Sequence, residues 1–207
     1  MCMVIQYGPR ASCLRRGGML QALEEEYRHL IGLWKGARTG QGVPTRERFD
    51  PMSLRGLVAR VHLLEFEEQD KLIFRLSGAN EQARLGENPK GEDYLALVDA
   101  PARAYLGRNM HNMLFHPTGL VFTTEEIHAD GSRITTRFIA LPLRDTRRGR
   151  DQVIALVSEK GPKQHLQATF PVPRDREWHD EVIAVETVDL GNGIPDIPVY
   201  KREVPSS

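Results

Sequence analysis

An α+β fold, with one five-stranded antiparallel sheet, helices on one face and an N-terminal amphipathic helix, follows from the order of the periodic segments. Three observations carry it. A pair of strand-like runs is followed by a helical block and then by three more such runs. The strand-like neighbours are joined by short polar turns, which suits antiparallel pairing. An amphipathic helix precedes them all, and its apolar stripe needs a cover.

The leading helix is read over Leu20–Lys35. Leu20, Leu23, Tyr27, Leu30, Ile31 and Trp34 recur at steps of three and four, with Glu24, Glu25, Glu26, Arg28 and Lys35 opposite. Gly36 and Gly40 are the expected stop. The stripe either packs on its own domain or pairs with a second copy. A homodimer through these six residues is the expectation, because such a stripe is self-complementary. Asp50-Pro51 reads as a helix cap with proline at the first position.

The first strands are Val58–Phe66 and Leu72–Ser77, around the polar turn Glu67–Lys71. Apolar residues at odd and even positions imply that both sheet faces are covered. Arg60, His62, Glu65 and Arg75 interrupt the runs. A short helix is expected over Asn80–Leu85. A longer helical pattern over Tyr94–Phe115 is divided near Asp99-Ala100-Pro101. Strands Leu120–Ala129, Arg133–Arg144 and Gln152–Glu159 follow, with Asp130-Gly131 as a tight hairpin signal and Asp145–Asp151 as the last loop. Residues 162–207 are proline-rich and hold one strand-like run, Glu181–Val188; the extension is expected to cover part of the sheet, with docking on a partner as the other reading. The organisation is therefore 1–19 poorly patterned, 20–161 the domain, and 162–207 an extension.

The chain of 207 residues has zero formal net charge, which gives no global field for nucleic acid or an anionic membrane. Arg147, Arg148 and Arg150 cluster where a solvated hairpin tip is expected. No apolar run approaches the ~20 residues of a membrane span. Both cysteines, Cys2 and Cys13, lack metal-type spacing, and a reducing, cytoplasmic setting is the expectation. GxSxG, HExxH and GxxxxGK[ST] do not occur, and Glu125-Glu126 point to opposite faces of a strand, so a non-enzymatic role is expected.

Residues Tyr27–Gly161 resemble an alphaproteobacterial family of single-domain PAS proteins. The likeness rests on Leu33-Trp34, then Gly42-Val43-Pro44-Thr45-Arg46 and Phe49-Asp50-Pro51, then Phe74-Arg75-Leu76-Ser77-Gly78 with Leu85-Gly86 and Gly91, and Ile139-Ala140-Leu141-Pro142-Leu143. It implies a PAS-like sensory or protein-interaction module of bacterial signal transduction, without an output domain of its own and with a signalling protein as partner. The alternative is a small-molecule carrier whose core pocket is always occupied.

PAS modules that hold ligands do so between sheet and helices. The residues expected to line that space are Leu64, Phe74, Leu76, Met110, Leu114, Phe122, Thr124, Arg137, Ile139 and Leu156; filling a core is their other reading. Arg137 would need a partner there, and a bound carboxylate or phosphate would supply one. Arg75 could grip an anionic ligand in a bidentate way, but pairing with an acidic residue such as Glu65 or Glu125 is the expectation. The resemblance leaves the cofactor unknown. A histidine such as His111 ligates haem in some PAS domains, but His111 and His116 are five apart and do not share a helical face. Gly107-Arg108-Asn109-Met110-His111 is similar to the photoactive-cysteine motif of flavin-binding PAS domains, yet Met110 stands at the cysteine position and has no ionisable S–H.

Overall fold

The computed structural model describes residues 25–85, 88–127, 133–159, 179–196 and 200–201. Its elements in chain order are helix α1 (Glu25–Ala37), the 3-10 segment η1 (Pro51–Arg60), strands β1 (Val61–Glu68) and β2 (Lys71–Ser77), and the short helix α2 (Ala79–Leu85). The 3-10 turn η2 (Tyr94–Leu97), helix α3 (Ala100–Asn112) and strands β3 (Thr118–Ile127), β4 (Arg133–Asp145) and β5 (Arg150–Glu159) follow. Strands β6 (His179–Asp189) and β7 (Tyr200–Lys201) close the series.

The strands form one antiparallel sheet in the order β2-β1-β5-β4-β3-β6-β7. The expected five strands are its first five members. Among the described residues the sheet continues past these five to seven strands. Residues 179–189, expected to lie over the sheet, instead extend its β3 edge as a strand, paired from Thr118–Asp189 to Ile127–His179. The physical reason is that β3 would otherwise present unpaired N–H and C=O groups, and a β-branched run satisfies them at once.

Local chemistry sets most boundaries. Asp50 caps η1 as expected: its carboxylate accepts the Met52 N–H at 2.9 Å and the Ser53 hydroxyl at 3.0 Å. The turn absorbs Val58–Arg60, so β1 starts at Val61 rather than Val58. The β1–β2 connection is only Gln69-Asp70, shorter than the expected turn. Asp93 does two jobs, accepting the Leu95 N–H at the start of η2 (3.0 Å) and the Leu72 N–H on the edge of β2 (3.1 Å). Pro101 sits in the first turn of α3, where its missing N–H costs nothing. The Arg147-Arg148 tip is exposed, as expected of a solvated hairpin. The Asp130-Gly131 turn, Leu20 and Leu23 lie outside the described residues.

Alternation along the strands divides the core into two layers. One face carries Leu64, Phe66, Leu72, Phe74, Leu120, Phe122, Phe138, Ala140, Val153 and Ala155 and is covered by η2 and α3. The other carries Val121, Ile139, Leu141, Leu143, Ile154 and Leu156 and is covered by α1, with Phe49 and Leu54. The α1 stripe is held by more than apolar contact. Tyr27 Oη donates to the Arg137 carbonyl at 2.7 Å and Trp34 Nε1 to the Pro142 carbonyl at 2.6 Å, so the helix is fixed along β4 at two points. No helix of the described residues is long and apolar enough to cross a membrane.

Candidate functional site

The residues expected to line one pocket do not share one face. Leu64, Phe74, Met110, Leu114 and Phe122 belong to the helix-covered layer, and Thr124 lies on that face two residues beyond Phe122, fully buried. Ile139 and Leu156 lie on the opposite face, beneath α1. Arg137 sits two residues before Ile139 on that same side, so it does not enter the helix-covered layer.

Leu76 is displaced for a specific reason. The register steps from Leu63–Leu76 to Leu64–Phe74, which makes Arg75 an extra residue in β2. That irregularity reverses the alternation. Phe74 points into the core, and Leu76 turns out to be 45% exposed on the side of Leu63.

The helix-side candidates are packed against one another. Phe122 and Phe138 stack at 4.8 Å with planes 8° apart, and Leu64, Phe74, Met110, Leu114 and Phe122 keep only 0–3% of their surface. A ligand-sized void beside them would leave much more of those side chains uncovered. As placed, these residues fill the core rather than line a chamber.

The surface expected for a second copy is also spent. Tyr27, Leu30, Ile31 and Trp34 are 0–5% exposed and are covered by the sheet of their own chain. Of the two alternatives for this stripe, packing on its own domain is the one observed.

The polar groups buried on the helix-covered face were not among the candidates. His62 and Glu81, at 2% and 1% side-chain exposure, approach to 3.4 Å between His62 Nε2 and Glu81 Oε2. They join β1 to α2. The His62 ring meets Phe74 edge-on at 5.2 Å, and Phe74 meets Tyr94 edge-on at 5.7 Å. A line of contact thus runs from α2 through the sheet to η2. The sequence signal was the interruption of an apolar strand by His62. What it lacked was the partner, which stands nineteen positions away on another element.

Beside this pair, the Ser77 hydroxyl is buried and makes no hydrogen bond among the described residues, and neither does the Thr124 hydroxyl further along the face. Glu65, on the other face, is 2% exposed and gathers Arg75 at 2.7 Å, Gln152 at 3.2 Å and Arg150 at 3.6 Å. The expected pairing of Arg75 with a neighbouring carboxylate is therefore with Glu65.

Where α3 packs toward the sheet edge, Tyr105 meets Tyr200 with ring centroids 5.2 Å apart, and burial pushes the Tyr105 phenol above its ordinary pKa. His111 faces out of the core, with its ring against Phe66 at 5.5 Å and Phe115 at 5.2 Å. His116 is held separately, with Nε2 3.1 Å from the Gly193 carbonyl. The two histidines do not converge. Among the described residues, no group of three or more His, Cys, Asp or Glu side chains comes together as a metal site.

Comparison with known proteins adds one match. No curated protein is similar enough to match. A family model described as PAS domain matches residues 24–157, well over half of the chain, from the start of α1 into β5. The β2-β1-β5-β4-β3 order, the helical block after β2 and the matched span agree, and the chain belongs to this PAS domain family.

Proposed function

We propose that the chain is a sensory and protein-interaction module of bacterial signal transduction, working in the cytoplasm and not as an enzyme. The observation that carries this reading is the buried His62–Glu81 pair at 3.4 Å, set between sheet and α2 and continued by Phe74 and Tyr94. A buried ionisable pair is poor value as a source of stability, because desolvation offsets its attraction. It is well suited to reporting change, since a small displacement of either partner alters a large local energy. α2 and η2 are short elements tied to the sheet through it. They are the parts whose movement a partner protein would feel.

Pairing of two copies belongs to the same reading. Tyr27, Leu30, Ile31 and Trp34 are taken up inside the chain, so such pairing would use a surface other than the one they form. Light scattering on the purified chain should give a dimer at micromolar concentration. A strict monomer would remove this part of the reading.

The main test is a small-molecule library titrated against the isotopically labelled full chain, followed by NMR. Shifts at His62, Phe74, Glu81 and Tyr94 that leave the α1-covered face unchanged are expected. A face indifferent to every ligand, together with turnover in a hydrolase and oxidoreductase panel, would overturn the proposal. Native mass spectrometry addresses the carrier alternative: a mass released only on denaturation would favour it over the sensory reading.

A further inference from the structure

One proton decides what kind of contact joins His62 to Glu81. The two side chains are 2% and 1% exposed, with Nε2 and Oε2 3.4 Å apart. Histidine is the side chain whose ordinary titration falls near neutral pH. With His62 protonated, the contact is an ion pair withdrawn from water, where attraction is strong. With His62 neutral, the buried Glu81 carboxylate loses that countercharge.

The ring is enclosed by several elements. On the sheet, Ser77 of β2 and Ala155 of β5 stand opposite His62 in register, and Phe74 meets the ring edge-on at 5.2 Å. η2 contributes Tyr94, behind Phe74 at 5.7 Å. Glu81 and Tyr94 are therefore the titratable groups on this side of the sheet around His62, among the described residues. Charged side chains close by along the chain turn elsewhere. Arg60 is bonded to Glu26 of α1, and Glu65 and Arg75 pair on the opposite face.

The element tied down by this contact is α2. A helix of seven residues has little stability of its own and depends on what docks it. It is rooted at Gly78, which lies on the Val58 and Ala59 backbone, and by Gln82, whose side chain donates to the Ser77 carbonyl at 2.7 Å. Glu81 adds an ionic attachment to the sheet. The sheet also offers the ring a second partner. The Ser77 hydroxyl is buried, makes no hydrogen bond among the described residues, and belongs to the residue directly across from His62. Directly opposed residues on one face of an antiparallel pair stand ~5 Å apart at Cβ, within reach of a small turn of the ring. The imidazole thus has one partner on α2 and one on β2, as a two-state element requires.

We propose that His62 and Glu81 form a proton-operated latch on α2. The protonated imidazole holds Glu81 and keeps α2 docked. Loss of the proton releases Glu81, and the neutral imidazole turns to the Ser77 hydroxyl. Resting on the sensory reading above, this latch gives the site a signal, proton activity. The docked state favours the protonated ring, so it holds the proton more tightly than the released state does. Its stabilisation is complete below the ordinary histidine value of about 6.5, down to the range where Glu81 itself protonates, and is lost as pH rises.

The test follows the His62 ring nitrogens of the isotopically labelled full chain by NMR, from about pH 5.5 to about pH 9, with amide-exchange protection of α2 measured at the same points. His62 is expected to lose its proton above about pH 6.5, and α2 protection to fall about tenfold as it does, while α1 keeps its own. Glu81→Gln should flatten the pH dependence of α2 and bring the His62 midpoint down. Ser77→Ala should move the midpoint up, because the released ring has lost its partner. Thermal unfolding checks that both variants remain folded. A ring that keeps one protonation state throughout, α2 protection that ignores the His62 titration, or a pH dependence that survives Glu81→Gln would each overturn the latch. If the latch is overturned while small molecules still shift His62, Phe74, Glu81 and Tyr94, the sensory reading stands with a chemical ligand as its signal.

Discussion

Glu65 sits among apolar side chains with 2% of its surface left, yet its oxygens meet Arg75, Gln152 and Arg150. A carboxylate withdrawn from water needs such partners, and removing it strands those that remain. Glu65→Ala should therefore lower stability by about 3 kcal/mol in urea unfolding. Arg75→Ala should cost less, about 1 kcal/mol, because Arg75 is 32% exposed and Arg150 stays near the carboxylate. Equal losses would mean that the pair, rather than the buried carboxylate, carries the energy. An arginine in an apolar strand shows in the sequence that some carboxylate must answer it. The choice between Glu65 and Glu125 does not, because it depends on β2 lying beside β1 with β5 and β4 between β1 and β3. Leu76 shows the same limit. Counting by twos from Phe74 places it inside, and only the pairing with β1 reveals the extra residue at Arg75.

Helix α1 is joined to the rest of the chain at both ends of its stripe, and at its close Arg38 becomes a hub. Arg38 lies 5.0 Å over the Trp34 ring and donates to the Leu190 carbonyl at 3.0 Å and to Asn192 Oδ1 at 2.7 Å. Helix α1 and the end of β6 thus hold one another. Trp34→Ala removes a fully buried indole and its bond to Pro142, and should cost about 4 kcal/mol in the same unfolding assay. The loop after β6 is organised by Asp189, whose carboxylate accepts the Gly191 N–H at 2.7 Å and the Gly193 N–H at 2.9 Å. These bonds, Gly191 foremost, hold the Asp189 carboxyl below its ordinary pKa. A folded pKa below the unfolded one stabilises fully above the ordinary carboxylate range, and that stabilisation is lost as pH falls through the folded value. Asp189→Asn should thus cost only about 0.5 kcal/mol at neutral pH, because water screens this largely exposed carboxylate, with the gap to the parent closing in acid. A gap independent of pH would show that the loop does not depend on the charge. At the junction of β2 and α2, Gly78 lies directly on the Val58 and Ala59 backbone. Backbone cannot move aside as a flexible side chain does, so Gly78→Ala should destabilise by about 2 kcal/mol, measured by thermal unfolding.

At the scale of the whole molecule, the family match ends at residue 157 but the sheet does not. β6 pairs along β3, and Val182 and Val185 both enter the helix-covered layer although they are three apart. The register step opposite Thr123 and Thr124 leaves Ile183 as an extra residue and turns both valines inward. Asp99, at the start of α3, accepts the Val182 N–H at 3.0 Å, which ties the added strand to the helical layer. A chain ending at residue 159 should lower the unfolding midpoint clearly and self-associate through the bared β3 edge. If its oligomeric state and its midpoint both match those of the full chain, β6 is an ornament.

The amino-acid order alone determined the fold class, the sequence of elements, the amphipathic α1, the cap at Asp50 and the PAS likeness. Each is written in local periodicity or in residues close along the chain. The tertiary structure decided what covers the α1 stripe, where Glu181–Val188 pairs, which candidates share a face, and that His62 meets Glu81. Those outcomes depend on strand order and register, where one extra residue turns a side chain from core to solvent and no local pattern records it.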